Sequence, residues 1–188
     1  MRVLAIALAL VATTGVTHAD DDDEDEDGEF IGVPKFSVGL MVGGHGTRLD
    51  GKSESGFGTS LELALGSQRW QYFVEAGLGT SNIAPSTTNT SYMVTGRMVQ
   101  GGLGARWIAR QFRPDSDGGI ELYLLSRAGM ERFYLDDDTR TSRPELDFGF
   151  GLQGRIYKRP RLAFRLDARV LLTPNESPGF SSGIGFAW

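Results

Sequence analysis

The chain contains no cysteine, and its bases are almost all arginine, the only lysines being Lys35, Lys52 and Lys158. Without cysteine, neither disulfides nor a thioether-linked lipid can brace or anchor the protein, so its stability has to come from the fold itself. Beyond the first residues, the sequence also lacks any apolar run near the roughly 20 residues that a membrane-spanning helix needs. What the chain does contain is a repeated alternation of large apolar residues with small or polar ones, with a period of two, which predicts β-strands.

The first 19 residues have the composition of an export signal. Arg2 supplies a positive charge, Val3 to Val11 form an apolar run, and Thr17 and Ala19 place small residues at the two positions that a signal peptidase reads. This order is typical of a secretory signal peptide, which is removed after export. An apolar run this short does not cross a bilayer as an anchor. We therefore expect residues 1–19 to be a cleaved signal peptide.

Residues 20–34 carry the strongest charge bias of the chain, with eight consecutive acids from Asp20 to Asp27 followed by Glu29. Such a block repels itself and predicts a disordered leader; the alternative is a flexible arm that attracts cations or a partner. Nine of the 24 acids and one of the 19 bases precede Phe30, which leaves 15 acids against 18 bases in the remainder. The negative net charge therefore belongs to the leader, and the folded domain is expected at residues 35–188.

Period-two alternation divides residues 35–188 into eight segments separated by turn-forming clusters. In each segment one face carries large apolar side chains and the other carries glycine, serine and charged residues. The parity is ambiguous only around Met93 to Met98, where a β-bulge would restore it. An even strand number lets both termini lie at the same end. The sequence thus predicts an all-β fold, an eight-stranded antiparallel up-and-down transmembrane β-barrel.

The choice of inner face separates a membrane barrel from a soluble one. A soluble barrel places its apolar face inward, whereas glycine suits a crowded lumen better than an exposed strand. With the glycine-rich face inward, the lumen holds nearly balanced charges, which have to be paired when buried. We predict a filled lumen lined by a charge network. Its members are Glu62, Glu75, Arg106, Glu121, Arg127, Asp147, Arg155, Arg165, Asp167 and Arg169, with Glu131 in the same parity.

Aromatic residues concentrate near the ends of the segments, as in the two girdles of membrane barrels. One predicted girdle consists of Phe36, Trp70, Tyr72, Trp107, Phe186 and Trp188, and the other of Phe57, Tyr92, Phe133, Tyr134, Phe148 and Phe180. Short connections at 67–69 and 158–160 belong to the first end. Longer polar connections are predicted at 45–55, 81–91, 136–143 and 173–179 at the second, and the 110–118 connection is longer than this pattern requires.

The signal, the eight amphipathic segments and the closing sequence Gly-Ile-Gly-Phe-Ala-Trp at 183–188 resemble the small outer-membrane β-barrels of Gram-negative bacteria, the OmpA-like and OmpX-like class. The closing sequence is similar to the signal that the barrel assembly machinery reads, with Phe186 and Trp188 as its aromatic positions. The resemblance implies an outer-membrane location and contact with outer-membrane lipid and lipopolysaccharide. It implies no cofactor and no nucleic-acid partner.

Three motifs resemble a nucleotide-binding, a catalytic and a metal-binding site, but each fits a strand or loop without such a function better. The GxGxxG pattern at 149–154 lies within a strand and precedes Arg155 rather than a helix, so it does not predict a nucleotide site. His45 is the only histidine after the predicted signal and has no diagnostic serine spacing, so we predict no catalytic residue. The acids Asp136 to Asp138 fit a solvated loop better than a metal site.

The favoured function is therefore a structural or surface-interaction barrel whose loops do the recognition, and which is not an enzyme. Three alternatives remain open from the sequence. They are a narrow pore, a lipid A modifying enzyme of the outer membrane, and a soluble periplasmic ligand-binding barrel.

Overall fold

The computed structural model describes residues 33–49, 52–83, 94–112, 118–135, 140–156, 162–174 and 178–188. The predicted signal peptide, the acidic leader up to residue 32 and Tyr92 of the second girdle lie outside these ranges. Alternating side chains within them build eight strands: β1 Phe36–Leu49, β2 Lys52–Ser67, β3 Trp70–Ile83, β4 Val94–Phe112, β5 Gly118–Leu135, β6 Arg140–Ile156, β7 Leu162–Leu172 and β8 Gly179–Ala187. In the described part, no helix is long and apolar enough to span a membrane.

Each strand pairs antiparallel with the next, and β8 pairs with β1, so the sheet closes into a barrel in chain order. Closure satisfies the backbone groups that an open sheet would leave at its edges. Beyond the last strand, the backbone of Trp188 pairs with Val38 of β1 through two hydrogen bonds of 2.8 and 2.9 Å. The predicted eight-stranded antiparallel up-and-down barrel is confirmed.

The two ends of the barrel are named here the terminal rim, where β1 begins and β8 ends, and the loop rim opposite. At the terminal rim, β2 and β3 are joined by the two-residue turn Gln68-Arg69, since Ser67 pairs with Trp70. Gln68 has a φ of 49°, the left-handed conformation that such tight hairpin turns use. This agrees with the short connection expected there.

At the loop rim the strands are longer than the sequence suggested. Residues 45–49 and 52–55 are paired strand, so the predicted 45–55 loop is wrong. Strand β6 already begins at Arg140, which shortens the predicted 136–143 loop. The reason is that backbone pairing continues through polar residues, whereas the apolar alternation that marks a strand in the sequence fades there.

The irregularity in β4 lies near the end of the strand, and not near its start at Met93 to Met98, where the sequence pattern was ambiguous. The described residues around Met98 alternate regularly, with Met98 inward, and the register against β5 shifts instead between Ile108 and Arg110. Just before the shift, Ile108 points into the barrel in the same parity as Arg106, packs with Tyr123 and donates its backbone N–H to the Arg69 carbonyl at 2.8 Å. The bulge therefore fits β4 to the tight β2–β3 turn at the terminal rim.

Glycine on the lumen face makes room for large side chains from neighbouring strands. A Cβ at Gly104 would lie 2.3 Å from the ring of Phe73 and 2.6 Å from the Ser126 carbonyl. A Cβ at Gly101, on the same strand, would meet only the Glu75 carbonyl, at 3.8 Å. Side chains inside the barrel thus pack directly against the backbone of glycines such as Gly104, where a methyl group would clash.

This difference gives a paired prediction. Gly104→Ala is expected to lower the free energy of unfolding by about 1–3 kcal/mol, because Phe73 and the β5 backbone have to move. Gly101→Ala serves as the control and should stay within roughly 0.5 kcal/mol of the parent. Urea titration of the protein refolded in lipid vesicles measures both. Equal losses at the two positions would contradict the close packing at Gly104.

Candidate functional site

Charge and apolar surface are segregated across the barrel wall. Every Asp and Glu side chain in the described ranges is buried in the lumen; they are Glu54, Glu62, Glu75, Glu121, Glu131, Glu145, Asp147 and Asp167. Six arginines and His45 accompany them, whereas most of the large apolar side chains face outward. The structure places all ten residues of the predicted charge network inside. The middle of the barrel interior is therefore ionic and most of the exterior is apolar, the reverse of an ordinary globular protein.

Glu62 of β2 is the centre of the charge network near the terminal rim. It accepts hydrogen bonds from Arg106 at 2.7 and 3.3 Å and from Arg165 at 2.6 Å. The guanidinium of Arg106 also lies 5.0 Å from the ring centres of both Phe73 and Tyr123. One carboxylate thus joins β2 to β4 and β7 across the lumen, and aromatic rings cover the face of the cation.

A second carboxylate, Glu121, extends this network. It accepts from Arg155 at 3.1 and 3.2 Å and from Gln111 at 3.0 Å. Gln153 donates to Glu121 and accepts from Arg165 at 3.0 Å, so it connects Glu121 to the Glu62 centre. These contacts form a continuous polar network in which Arg106 and Arg155 each bind a buried carboxylate in a bidentate geometry.

The middle of the lumen is richer in acid. Arg127 donates to Asp147 at 2.5 Å and also pairs with Glu145. Arg169 bonds Glu75 at 3.1 Å and Asp167 at 2.9 Å, and it lies 3.9 Å from Asp147. Side chains of these clusters line a cavity of about 70 Å³. Two arginines therefore form ion pairs with four carboxylates around a small cavity.

A third group lies towards the loop rim. His45 Nε2 is 2.8 Å from Glu54 Oε1, and Arg143 bonds Glu131 at 2.8 Å while lying 3.6 Å from Glu54. Glu54, Arg143 and Glu145 were not predicted as lumen residues, because Glu54 and Arg143 fell in predicted loops and Glu145 lies just before the predicted apolar segment. Their parity with Glu62 and Asp147 on the same strands is the signal that identifies them.

Apolar side chains fill the lumen at both ends of the charged region. Val33, Ile108, Tyr123 and Leu125 pack together near the terminal rim, and Ile83, Met98 and Phe133 pack near the loop rim. The assignment of Phe133 to the outer girdle is therefore wrong. Its side chain shares the inward parity of Glu131, is fully buried, and lies under the Arg143 guanidinium at 4.9 Å.

The outer wall carries the other predicted girdle residues. Near the terminal rim Trp70 stacks on Tyr72, with ring centres 6.2 Å apart, and contacts Trp107 at 6.4 Å. The remaining described girdle residues are exposed; they are Phe36, Phe57, Tyr134, Phe148, Phe180, Phe186 and Trp188. Phe164, which the sequence analysis did not include, packs edge-on against Phe186 at 5.4 Å.

No family model matches the chain, and no curated protein matches it. Among solved structures it is similar to Neisserial surface protein A, with 12% identity and a TM-score of 0.55 over 82% of this chain and 96% of that one. The chain has the fold of the small eight-stranded outer-membrane barrels.

Two further solved structures give lower scores. The N-terminal β-barrel domain of Pseudomonas aeruginosa OprF is 15% identical, with a TM-score of 0.44 over 81% of this chain and 97% of that one. Ail, the attachment invasion locus protein of Yersinia pestis, is 15% identical, with a TM-score of 0.43 over the same shares.

The arrangement of this barrel around His45 bears on catalysis. Ser81 donates its hydroxyl to Glu54 Oε1 at 2.7 Å, the same oxygen that contacts His45. Nucleophilic catalysis needs the base to contact the hydroxyl and the carboxylate to orient the base. Here the carboxylate lies between the other two groups. In the described ranges, no group of three or more His, Asp or Glu side chains is placed to hold a metal ion either.

Proposed function

We propose that this protein is an integral outer-membrane β-barrel with a filled, charge-paired lumen, and that it acts as a structural or surface-interaction scaffold through its extracellular loops. One observation carries the proposal: the described carboxylates are all inside, while large side chains such as Leu78, Leu103 and Leu65 are 66%, 64% and 63% exposed on the wall. A wall of this kind is stable where lipid rather than water surrounds it.

The soluble ligand-binding barrel is the alternative that this observation disfavours. Exposed apolar surface costs about 25 cal/mol per Å² in water, and contiguous patches beyond a few hundred Å² mark a partner or a membrane. The apolar rows here follow all eight strands, with Leu40, Val74 and Ile184 among the exposed residues. A soluble barrel would also bury its apolar face in the lumen, where this chain has its ion pairs.

The contacts within the lumen disfavour a pore and an enzyme. An eight-stranded barrel is just wide enough for side chains to fill, and here Arg106, Arg165 and Tyr123 are among the side chains that are almost fully buried. The position of Glu54 between His45 and Ser81 disfavours a nucleophilic lipid A modifying enzyme. Recognition is therefore assigned to the loops, which a rigid barrel presents to the outside.

The proposal includes a route to the membrane. Residues 1–19 would direct export, and the barrel assembly machinery would read the closing aromatic positions, of which Phe186 and Trp188 are exposed on the outer wall. Outer-membrane lipid and lipopolysaccharide would then surround the apolar wall.

Fractionation tests this function. We expect the full chain to cofractionate with the outer membrane, to resist alkaline extraction, and to migrate faster on a gel before boiling than after it, because a closed barrel stays folded in detergent until heated. A variant lacking residues 2–19 is the control and should stay in the cytoplasm. Recovery of the wild-type protein in the soluble periplasmic fraction, without a heat-dependent mobility shift, would contradict the proposal.

A further inference from the structure

Three arginines surround one tyrosine on the outer wall at the loop rim. Tyr134 of β5 has Arg97 of β4 as its partner on one side and Arg140 of β6 on the other. Arg132 lies two residues along β5, on the same face. The guanidiniums of Arg132 and Arg140 lie 5.3 and 5.9 Å from the Tyr134 ring centre. These four residues, called here the arginine patch, are all exposed.

The arginine patch borders the apolar wall. Val99 follows Arg97 on the same face of β4, and Met130 precedes Arg132 on β5; both are exposed and apolar. If the wall lies in lipid, as the proposed function requires, the patch lies where the hydrocarbon ends and the polar headgroups begin. Tyrosine is enriched at that depth because its ring is apolar and its hydroxyl is polar.

Among the described residues of the outer wall, the charges around the arginine patch are all positive. The carboxylates of the described ranges are all in the lumen, so none of them lies on the outer wall to pair with Arg97, Arg132 or Arg140. A guanidinium whose contact is with a ring rather than a carboxylate keeps N–H groups available, and these match the oxygens of phosphate in a bidentate geometry. Three such groups from three adjacent strands favour an anion with several oxygens.

We propose that Arg97, Arg132 and Arg140, arranged around Tyr134, bind the phosphomonoester groups of the outer-leaflet glycolipid, the lipid A part of lipopolysaccharide. This inference rests on the proposed function, which supplies the membrane, and adds a specific lipid site to it. The arginines supply the charge and the hydrogen bonds, and Tyr134 holds two of them in place.

The test uses the full barrel refolded in phosphatidylcholine vesicles that contain a minor fraction of lipid A, followed by mass spectrometry of the lipid that copurifies. Three lipids are compared: lipid A, phosphatase-treated lipid A, and phosphatidylglycerol as a phosphodiester. We expect the wild type to retain lipid A in preference to the other two. The combined variant Arg97→Gln, Arg132→Gln and Arg140→Gln should retain about tenfold less, the effect of losing charge-assisted phosphate contacts.

Arg110→Gln is the matched control, because Arg110 is also an exposed arginine beside an aromatic ring, 5.4 Å from the centre of Phe112, but at the terminal rim. It should retain lipid A as the wild type does. Asp136, Asp137 and Asp138, in the connection between β5 and β6, allow a second arm. Replacing all three by asparagine should leave retention unchanged or raise it; a loss would assign lipid binding to these acids through a bridging cation and overturn the inference.

Equal retention by the wild type and the triple arginine variant would overturn the inference, as would equal retention of lipid A and its phosphatase-treated form or of lipid A and phosphatidylglycerol. The heat-dependent gel shift separates the two levels of failure. If the wild type and the triple arginine variant both show the shift and retain lipid A equally, the proposed lipid site is wrong, but the proposed membrane barrel is still supported. If the wild type shows no shift, the proposed function itself fails.

Discussion

Replacing Glu62 with alanine is expected to lower the free energy of unfolding by about 3–5 kcal/mol, because it leaves two buried guanidiniums without their shared carboxylate. Arg106 and Arg165 both bond Glu62, and each is at most 1% exposed. The change also removes a link between β2 and strands β4 and β7. Urea titration in lipid vesicles measures the loss.

Two further variants separate charge from packing. Glu62→Gln keeps the side-chain volume and removes the charge, and we expect it to lose most of what alanine loses. Glu131→Ala is the matched control, because its partner Arg143 also lies 3.6 Å from Glu54 and so keeps a carboxylate nearby. A loss of about 1–2 kcal/mol is expected there. If Glu62→Gln is tolerated as well as Glu131→Ala, the central role of Glu62 is wrong.

An arginine at Leu61, on the outer wall, should cost about 2–4 kcal/mol in a bilayer, the range for a cation near the middle of a membrane barrel. Leu61 is 49% exposed and lies in the centre of the apolar row from Phe57 to Leu65 of β2. In a water-soluble barrel the same exposed substitution would be close to neutral. The size of the loss therefore tests directly whether the apolar face of the barrel lies in lipid.

Ser55→Arg is the control for Leu61→Arg, since Ser55 lies on the same face of the same strand but close to the loop rim, and is exposed. A cost of about 0–1 kcal/mol is expected at that depth. Refolding yield and urea titration in vesicles report both variants. Similar small costs at the two positions would mean that no hydrocarbon layer covers the middle of the wall.

The fold was predictable because the pleat of a strand imposes a strict period of two, and eight segments repeat it. The same parity located the lumen charges and, applied without exception, would have placed Phe133 inside with Glu131. It would also have identified Glu54 and Glu145, had the strands been extended through their polar ends.

The partners of each charge could not be read from the sequence. Glu62 meets Arg106 and Arg165, which are 44 and 103 residues away along the chain. Such pairing depends on how strand register and side-chain length combine across the lumen. The bulge at Ile108 is equally hidden, because it arises from contacts with the neighbouring turn rather than from a local pattern.

The closing pair of strands determines how the barrel can be made. Strand β1 pairs with β8 from Gly39, opposite Ala187, to Gly46, opposite Phe180. The first strand therefore cannot complete its pairing until the last strand is present. Any sheet of fewer strands has two free edges, whichever hairpins form first, and joining distant segments is slow because of the chain entropy lost. Partly assembled forms of this chain therefore expose unpaired strand edges, which can pair with other chains until β8 reaches β1.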